Sequence, residues 1–218
     1  MTQESIDQAA HNIHRKPGKL AARDIVRGLY AKARDDAERY ELAQLYAYFR
    51  PALPKKPKTP WEWVAQAIGV NDAREYLQYV HVCADWVTGS DGHRLHRYRN
   101  VEGLEPGFYD PLGALIHPAD WRRYPDIDRL WKTIASAETV STLEHVETEA
   151  HAPIGKIDCL TVEGVLLDLK YWQQAAAAPD LTLPHVMAYP EERGGTIQID
   201  GSFPNGAEAQ AIVMGMKP

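Results

Sequence analysis

The chain has 218 residues, with 24 Lys+Arg against 30 Asp+Glu, a net charge of −6 and 44% hydrophobic residues. This length suits one or two domains, each with a real core. No apolar run approaches the ~20 residues that a membrane-spanning helix needs, and the polar N-terminus lacks the apolar region of a secretory signal. Cys83 and Cys159 form neither a disulfide framework nor a zinc motif. We therefore expect a cytoplasmic protein that needs no cofactor.

The charge is unevenly distributed along the chain. Residues 1–58 contain 12 Lys/Arg and 7 Asp/Glu, whereas residues 59–218 contain 12 and 23. A basic segment joined to an acidic body favours polyanion contacts in the N-terminal part. A solvated helical face without a partner explains the same pattern equally well. The candidate DNA-binding cations are Lys19, Arg23, Arg27, Arg34, Lys55, Lys56 and Lys58.

The N-terminal segment has a helical pattern. Apolar residues at Ala22, Ile25, Val26, Leu29 and Ala33 share one face of a predicted helix. A second helix is predicted over 42–49 and ends at Arg50-Pro51, because the residue before a proline avoids the α region. Residues 51–60 contain four prolines among lysines and predict a semi-rigid linker. Residues 1–58 are therefore interpreted as a basic helical extension and linker, followed by a separate region over 59–218.

Helix and strand signals then follow in turn. Pro60 is well placed at the start of a helix over Trp61–Ile68. Val80–Asp85 alternates like a half-buried strand, and Gly89–Gly92 has the composition of a turn. His93–Tyr98 resumes the extended pattern and predicts a hairpin with the first strand. Residues 100–135 are rich in loop formers, and 138–155 are weakly patterned.

The C-terminal third predicts a strand, a helix and three strands. The strand covers Lys156–Thr161 and the amphipathic helix Glu163–Ala177, and the last strands lie near 185–189, 196–200 and 208–215. Helix 61–68 with the hairpin at 77–98 resembles a less complete copy of this unit. The predicted fold class is α+β, with helices packed on one face of antiparallel sheets. Residues 59–218 form either one domain with an insertion at 100–155 or two abbreviated units, 59–135 and 136–218.

Three short motifs carry a family resemblance. Val82–Leu95 ends in Ser90-Asp91-Gly92-His93-Arg94-Leu95, and Arg123–Ile127 reads Arg-Tyr-Pro-Asp-Ile. The last eight residues, Ala211–Pro218, read Ala-Ile-Val-Met-Gly-Met-Lys-Pro. In this order the motifs resemble the TDGHRL turn, the FPDY segment and the VVMPMRL terminus of the bacterial sliding clamp, the β subunit of DNA polymerase III.

The resemblance implies a clamp-type fold of repeated strand–helix–three-strand units. It also implies a non-catalytic processivity factor in DNA replication or repair, which encircles double-stranded DNA as a homo-oligomeric ring and tethers polymerase. In that family the turn and the terminus line a hydrophobic pocket for short peptides of polymerases and repair factors. By position, the pocket residues here are Ser90, Gly92, His93, Arg94, Leu95, Met214 and Met216. Methionines adapt to varied apolar side chains, and a glycine turn permits close backbone approach.

The sequence also departs from the family pattern. It is shorter than a three-domain clamp subunit, Gly215 replaces the proline between the last methionines, and the helices at 61–68 and 163–177 are not basic. Non-specific DNA affinity comes mostly from Lys and Arg. An alternative is therefore a clamp-derived adaptor or decoy that binds partner proteins without encircling DNA.

Signals for metal binding and catalysis are weak. His93 and His96 form an HxxH, but residues three apart on a strand point to opposite faces, so no metal site is predicted. Asp91 in its Ser-Asp-Gly turn is expected to hydrogen-bond its own backbone. No nucleophile, Walker or Rossmann motif is present. We therefore expect a protein that is not an enzyme.

Overall fold

The computed structural model describes residues 25–26, 28–29, 32, 42, 56–70, 72–116, 121–127, 139–142, 145–154, 157–189 and 195–216. In this part of the chain the fold is α+β and consists mostly of sheet. The α-helices with defined ends are α1 (Pro60–Ala65) and α2 (Leu169–Ala176), and short 3-10 helices cover Glu75–Gln78 and Trp121–Arg123. The strands are β1 (Val80–Val82), β2 (Trp86–Ser90), β3 (Arg94–Arg99), β4 (Gly107–Tyr109), β5 (Leu115–Ile116), β6 (Thr139–Thr142), β7 (Thr148–Ile154), β8 (Ile157–Val162), β9 (Val165–Asp168), β10 (Thr182–Tyr189), β11 (Thr196–Ser202) and β12 (Glu208–Met214).

Nine of the described strands form one antiparallel sheet in the order β5-β4-β1-β2-β3-β12-β11-β10-β6. Its centre has an internal symmetry: α1 precedes the meander β1-β2-β3, α2 precedes the meander β10-β11-β12, and the last strands of the two meanders pair with each other. The remaining strands form a small sheet in the order β7-β8-β9. Residues from both halves of the region thus contribute to one continuous sheet.

The two helices pack on the same face of the large sheet. The indole nitrogen of Trp63 in α1 donates to the carbonyl oxygens of Gln174 and Ala175 at the end of α2, at 3.1 and 3.2 Å. One hydrophobic cluster joins both helices, the large sheet and the small sheet. Because side chains alternate along a strand, every second side chain points to the opposite face of the large sheet. We call this opposite face, with Thr88, Leu95 and Ile212, the distal face.

Helix α1 begins and docks for identifiable reasons. The Thr59 hydroxyl accepts a hydrogen bond from the Glu62 amide at 3.1 Å, which caps the helix, and Pro60 follows at its first position. The helix then lies directly on β2 at Gly89, where an added Cβ would be 2.3 Å from the Val64 carbonyl oxygen. Only glycine permits this approach. Gly89 was expected in a turn. It lies instead within β2, where any side chain would collide with α1.

Several predicted elements are confirmed. The strands near 185–189, 196–200 and 208–215 are β10, β11 and β12, and the strand at Lys156–Thr161 is β8. The helix at Trp61–Ile68 is confirmed as the shorter α1.

Two boundaries were wrong. The predicted strand Val80–Asp85 ends at Val82, and β3 forms its hairpin with an additional strand, β2, rather than with that first strand. The predicted helix Glu163–Ala177 begins at Leu169, because Glu163 and Gly164, with φ of 45° and 81°, turn the chain from β8 into β9. The Asp168 carboxylate then caps α2 by accepting from the Lys170 amide.

The N-terminal segment is described at only a few positions. Ile25, Val26 and Leu29 have α-helical backbone conformations. Val26 is buried, whereas Ile25 and Leu29 are 48% and 47% exposed. The candidate DNA-binding cations Lys19, Arg23, Arg27, Arg34 and Lys55 lie outside the described residues. Lys56 and Lys58 are exposed.

Candidate partner-binding site

The segment 91–93 between β2 and β3, which we call the bend, is held in its conformation by polar side chains within it and next to it. The Ser90 hydroxyl donates to the Arg94 carbonyl oxygen at 2.8 Å and accepts from the Gly92 amide at 3.1 Å. One Asp91 carboxylate oxygen accepts from the amides of His93 and Arg94, at 2.9 and 3.1 Å. The expected Asp91 turn is therefore confirmed. Gly92 has φ of 88°, in the left-handed region that favours glycine.

The C-terminal strand lies directly beside this bend. Strands β12 and β3 pair antiparallel with Val213 opposite Arg94, and the Met214 amide donates to the His93 carbonyl oxygen at 2.9 Å. The bend and the methionine-bearing terminus are 119 positions apart in the sequence, counted from Met214 back to Leu95. The fold nevertheless brings the first and third motifs together as neighbouring backbone segments.

The Arg94 side chain is committed to the helix face of the sheet. Its guanidinium donates to the Gln66 carbonyl oxygen at 2.6 Å, to the Gln174 side chain and to Asp91 at 3.1 Å. It also lies over the Tyr171 ring, 4.4 Å from the centroid. Arg94 therefore ties the bend to the C-terminal end of α1 and to α2. Since successive strand residues point to opposite faces, Arg94 and Leu95 do not line one pocket with their side chains.

The distal face near the bend is partly closed and partly exposed. Leu95 is 2% exposed and its strand partner Ile212 is 3% exposed. Met214, two residues beyond Ile212, is 48% exposed, and His93 beside it is also exposed. In this conformation Met214 and His93 present the surface that a partner can reach, whereas Leu95 is part of the interior.

Beyond Met214 the chain joins other elements. The Gly215 amide donates to the Gly195 carbonyl oxygen at 3.0 Å, and the Met216 amide donates to the Leu166 carbonyl oxygen of β9 at 2.8 Å. The sulfur of Met216 lies 3.9 Å from the buried Cys159 thiol. The two methionines of the predicted pocket therefore differ in their surroundings. Met214 lies next to the bend, and Met216 links the terminus to the small sheet.

The second motif lies over the distal face of β1, β2 and β3. Pro125, Asp126 and Ile127 cover a cavity of about 220 Å³ whose other walls come from those strands. The strand residues that line it are His81, Cys83, Trp86, Thr88 and Arg97. All three motifs thus contribute residues to the distal face or its border.

An arginine that the sequence did not single out covers the bend. The guanidinium of Arg74 lies against Gly92, where an added Cβ would be 2.8 Å from one of its terminal nitrogens. It donates to the Asp91 carbonyl oxygen at 2.9 Å and pairs with Asp72 at 2.8 Å. The Arg74 side chain also lowers the pKa of the Asp72 carboxyl. No sequence signal marks Arg74, because its contact with Gly92 depends on the path of the chain between α1 and β1.

The two histidines of the HxxH have separate environments. His93 is exposed in the bend, whereas His96 is fully buried and stacks on Trp63 with ring centroids 4.6 Å apart. His96 Nδ1 lies 2.8 Å from the Trp63 carbonyl oxygen, which only accepts, so Nδ1 carries the proton. Burial, together with the Arg94 charge, lowers the pKa of His96 to about 3. Within the described ranges, no three His, Cys, Asp or Glu side chains are arranged to hold a metal ion.

The helix layer carries little charge. Helix α1 contains one charged residue, Glu62, and α2 contains one, Lys170. In the part of the chain that the structure describes, no helix has the length and apolar character needed to cross a bilayer.

No protein-family model, no curated protein and no solved structure matches this chain.

Proposed function

We propose that the protein is a small sliding-clamp-like accessory factor of DNA replication or repair, without catalytic activity of its own. It would bind polymerases or other proteins that carry a clamp-binding peptide, at the surface formed by the bend and the C-terminal strand. The observation that carries this proposal is the hydrogen bond between the Met214 amide and the His93 carbonyl oxygen. It makes neighbours of two motifs that resemble the two sides of the clamp's peptide pocket.

The internal symmetry of the sheet also supports a clamp-type repeat. Each half has a helix followed by a three-strand meander, and both helices lie on one face. In a clamp-type ring, helices that share a face can be turned together toward the enclosed duplex, and the sheet then forms the outer wall. The proposed repeats are α1 with β1-β2-β3 and α2 with β10-β11-β12.

A clamp of this size would have to assemble as a cyclic homo-oligomer to enclose DNA. Among the described strands, β5 and β6 end the large sheet, and an unpaired strand edge can pair with another chain. Leu112 and Leu115 near β5 are 51% and 46% exposed, which favours contact at that edge. Light scattering tests the ring directly. A monomer at working concentrations would contradict it and leave the adaptor function.

Met214 is the residue to change in a test of peptide binding. The ligand is a fluorescein-labelled peptide that carries the clamp-binding segment of a bacterial replicative polymerase. Removing most of an exposed apolar anchor is expected to weaken binding roughly tenfold in Met214→Ala, since buried apolar surface dominates such contacts. Val101→Ala is the matched control, because Val101 is 54% exposed and lies away from the bend.

The proposal predicts a different effect for Leu95→Ala. Leu95 is buried, so its truncation is expected to lower the free energy of unfolding by about 2–5 kcal/mol. It therefore reports on stability more than on contact with the peptide. Equal peptide affinity in wild type, Met214→Ala and Val101→Ala would refute the binding surface.

The second candidate function is a protein-interaction adaptor or decoy that does not encircle DNA. It is favoured by the low charge of α1 and α2, since non-specific DNA affinity depends on cations that neutralise phosphates. A salt titration of binding to duplex DNA separates the two functions. A steep loss of affinity with salt that is reduced in a Lys19, Arg23, Arg27 and Arg34 to Ala variant supports DNA contact through the N-terminal segment. Absence of DNA binding at low salt supports the adaptor.

A further inference from the structure

Arg74 occupies the surface against which a partner backbone would pack at the bend. A Cβ added at Gly92 would lie 2.8 and 3.0 Å from the two terminal nitrogens of the Arg74 guanidinium. These distances mean that the guanidinium rests directly on the Gly92 backbone. Gly92 permits a close approach to the backbone, and it is the Arg74 side chain of the same protein that makes this approach.

Arg74 also donates a hydrogen bond to a backbone carbonyl oxygen of the bend. Its guanidinium donates to the Asp91 carbonyl oxygen at 2.9 Å and makes two further hydrogen bonds, of 2.9 and 2.8 Å, to the Asp72 carboxylate. The Asp72 carboxylate also accepts from the Arg74 amide at 2.8 Å, which fixes the backbone beneath the side chain. Asp72 therefore acts as the anchor that keeps Arg74 on the bend.

This contact is built to be displaced at low cost. The Arg74 side chain is 47% exposed, and exposed ion pairs contribute little to stability. By contrast, Arg94 on the other side of the bend is 6% exposed and bonded to both helices. Arg94 is therefore fixed next to the bend, whereas Arg74 can be displaced from it.

We infer that Arg74 is an autoinhibitory cover of the partner site, which a binding segment displaces by donating its own N–H group to the Asp91 carbonyl oxygen. This inference rests on the proposed function, because it concerns access to the same site. It assigns a chemical requirement to the partner: an extended segment with an N–H donor next to its apolar anchor, so that Met214 and the Asp91 carbonyl oxygen are engaged together. A partner without that donor would leave Arg74 in place and bind only through the exposed methionine.

The test measures the affinity of the fluorescein-labelled polymerase peptide for full-length variants. Arg74→Ala removes the cover and is expected to tighten binding roughly three- to tenfold. Asp72→Asn weakens the anchor and is expected to change affinity in the same direction by less. Arg99→Ala is the matched control, because Arg99 is 44% exposed and paired with Glu208, yet lies at the far end of β3. An affinity for Arg74→Ala within twofold of wild type, or weaker, overturns the inference.

A second measurement is made without any peptide. The amide resonances of Gly92 and His93 are expected to shift, and their hydrogen exchange to accelerate, in Arg74→Ala but not in Arg99→Ala. Unchanged spectra and exchange at the bend overturn the cover itself. If the bend responds but no variant binds the peptide, the proposed function fails while the contact stands. If wild type binds and Arg74→Ala binds no better, only the autoinhibition fails. Should Arg74→Ala unfold, Arg74→Lys, which lacks the planar fork, serves in its place with the same expected direction.

Discussion

Replacing Gly89 by alanine should be among the most destabilising single-methyl additions in this protein. The new Cβ would lie 2.3 Å from the Val64 carbonyl oxygen and 3.2 Å from a methyl carbon of Ile68. Ordinary contacts begin near 3.4 Å, so α1 must move away from β2 by about 1 Å. The obstacle is a backbone oxygen in the last turn of α1, and a backbone atom cannot rotate away as a side chain can.

Moving α1 would also disturb the contacts that α1 makes elsewhere. Trp63 stacks on His96 and donates to the end of α2, so the shift would loosen the contact between the two helices. Overpacking of a well-packed site costs about 1–3 kcal/mol, and the added loss of helix contacts places the expected cost near the upper end, at about 3 kcal/mol. With a urea m-value of about 2 kcal/mol/M, the unfolding midpoint would fall by roughly 1.5 M.

Urea unfolding followed by circular dichroism measures this cost. Gly28→Ala is the matched control, since Gly28 is helical and has no atom within 4 Å of an added Cβ. That control should be neutral or stabilising by up to about 1 kcal/mol, because alanine favours a helix. A loss below about 0.5 kcal/mol for Gly89→Ala would refute the close approach of α1 to β2.

Two further predictions concern pH and the bend. Burial lowers the pKa of His96 to about 3 and that of His81 to about 4, whereas unfolded histidine titrates near 6.5. The unfolded state therefore binds more protons below pH 6.5, and stability should fall by about 2 kcal/mol per histidine between pH 7.5 and 5. In His81→Phe only His96 contributes, so unfolding titrations should show about half of the total loss seen in wild type over this pH range. A pH profile identical to that of wild type would contradict the assignment. Gly92→Ala should cost about 1–2 kcal/mol because its φ is 88°, and Gly92→Asn should cost less, since Asn tolerates this region; equal losses in thermal unfolding would count against the strain.

Elements with strong periodicity could be predicted from the sequence. The strand signals of β10, β11 and β12 and the proline at the start of α1 are local, and the structure agrees with them. Boundaries that depend on capping were less predictable. The apolar residues Val165 and Leu169 fit a helical spacing, yet the turn at Glu163-Gly164 and the Asp168 cap delay the helix until β9 is complete.

Parts of the candidate site were also within reach of sequence reasoning. The Asp91 turn followed from its composition, and the adjacency of the bend and the terminus followed from the family resemblance. The split between Arg94 and Leu95 follows from strand alternation, which the positional transfer of pocket residues did not take into account. Arg74 was beyond reach, because a contact between residues 17 positions apart in a loop leaves no periodic signal.

The most direct test of the partner site is an amide NMR titration of the full-length protein with the polymerase peptide. The proposal predicts saturable shifts that centre on His93 and Met214, extend to Gly92 and are weakened in Met214→Ala. Saturable shifts confined to residues away from the bend, or no shifts at peptide concentrations of about 1 mM, where even binding of about −4 kcal/mol would register, would contradict it.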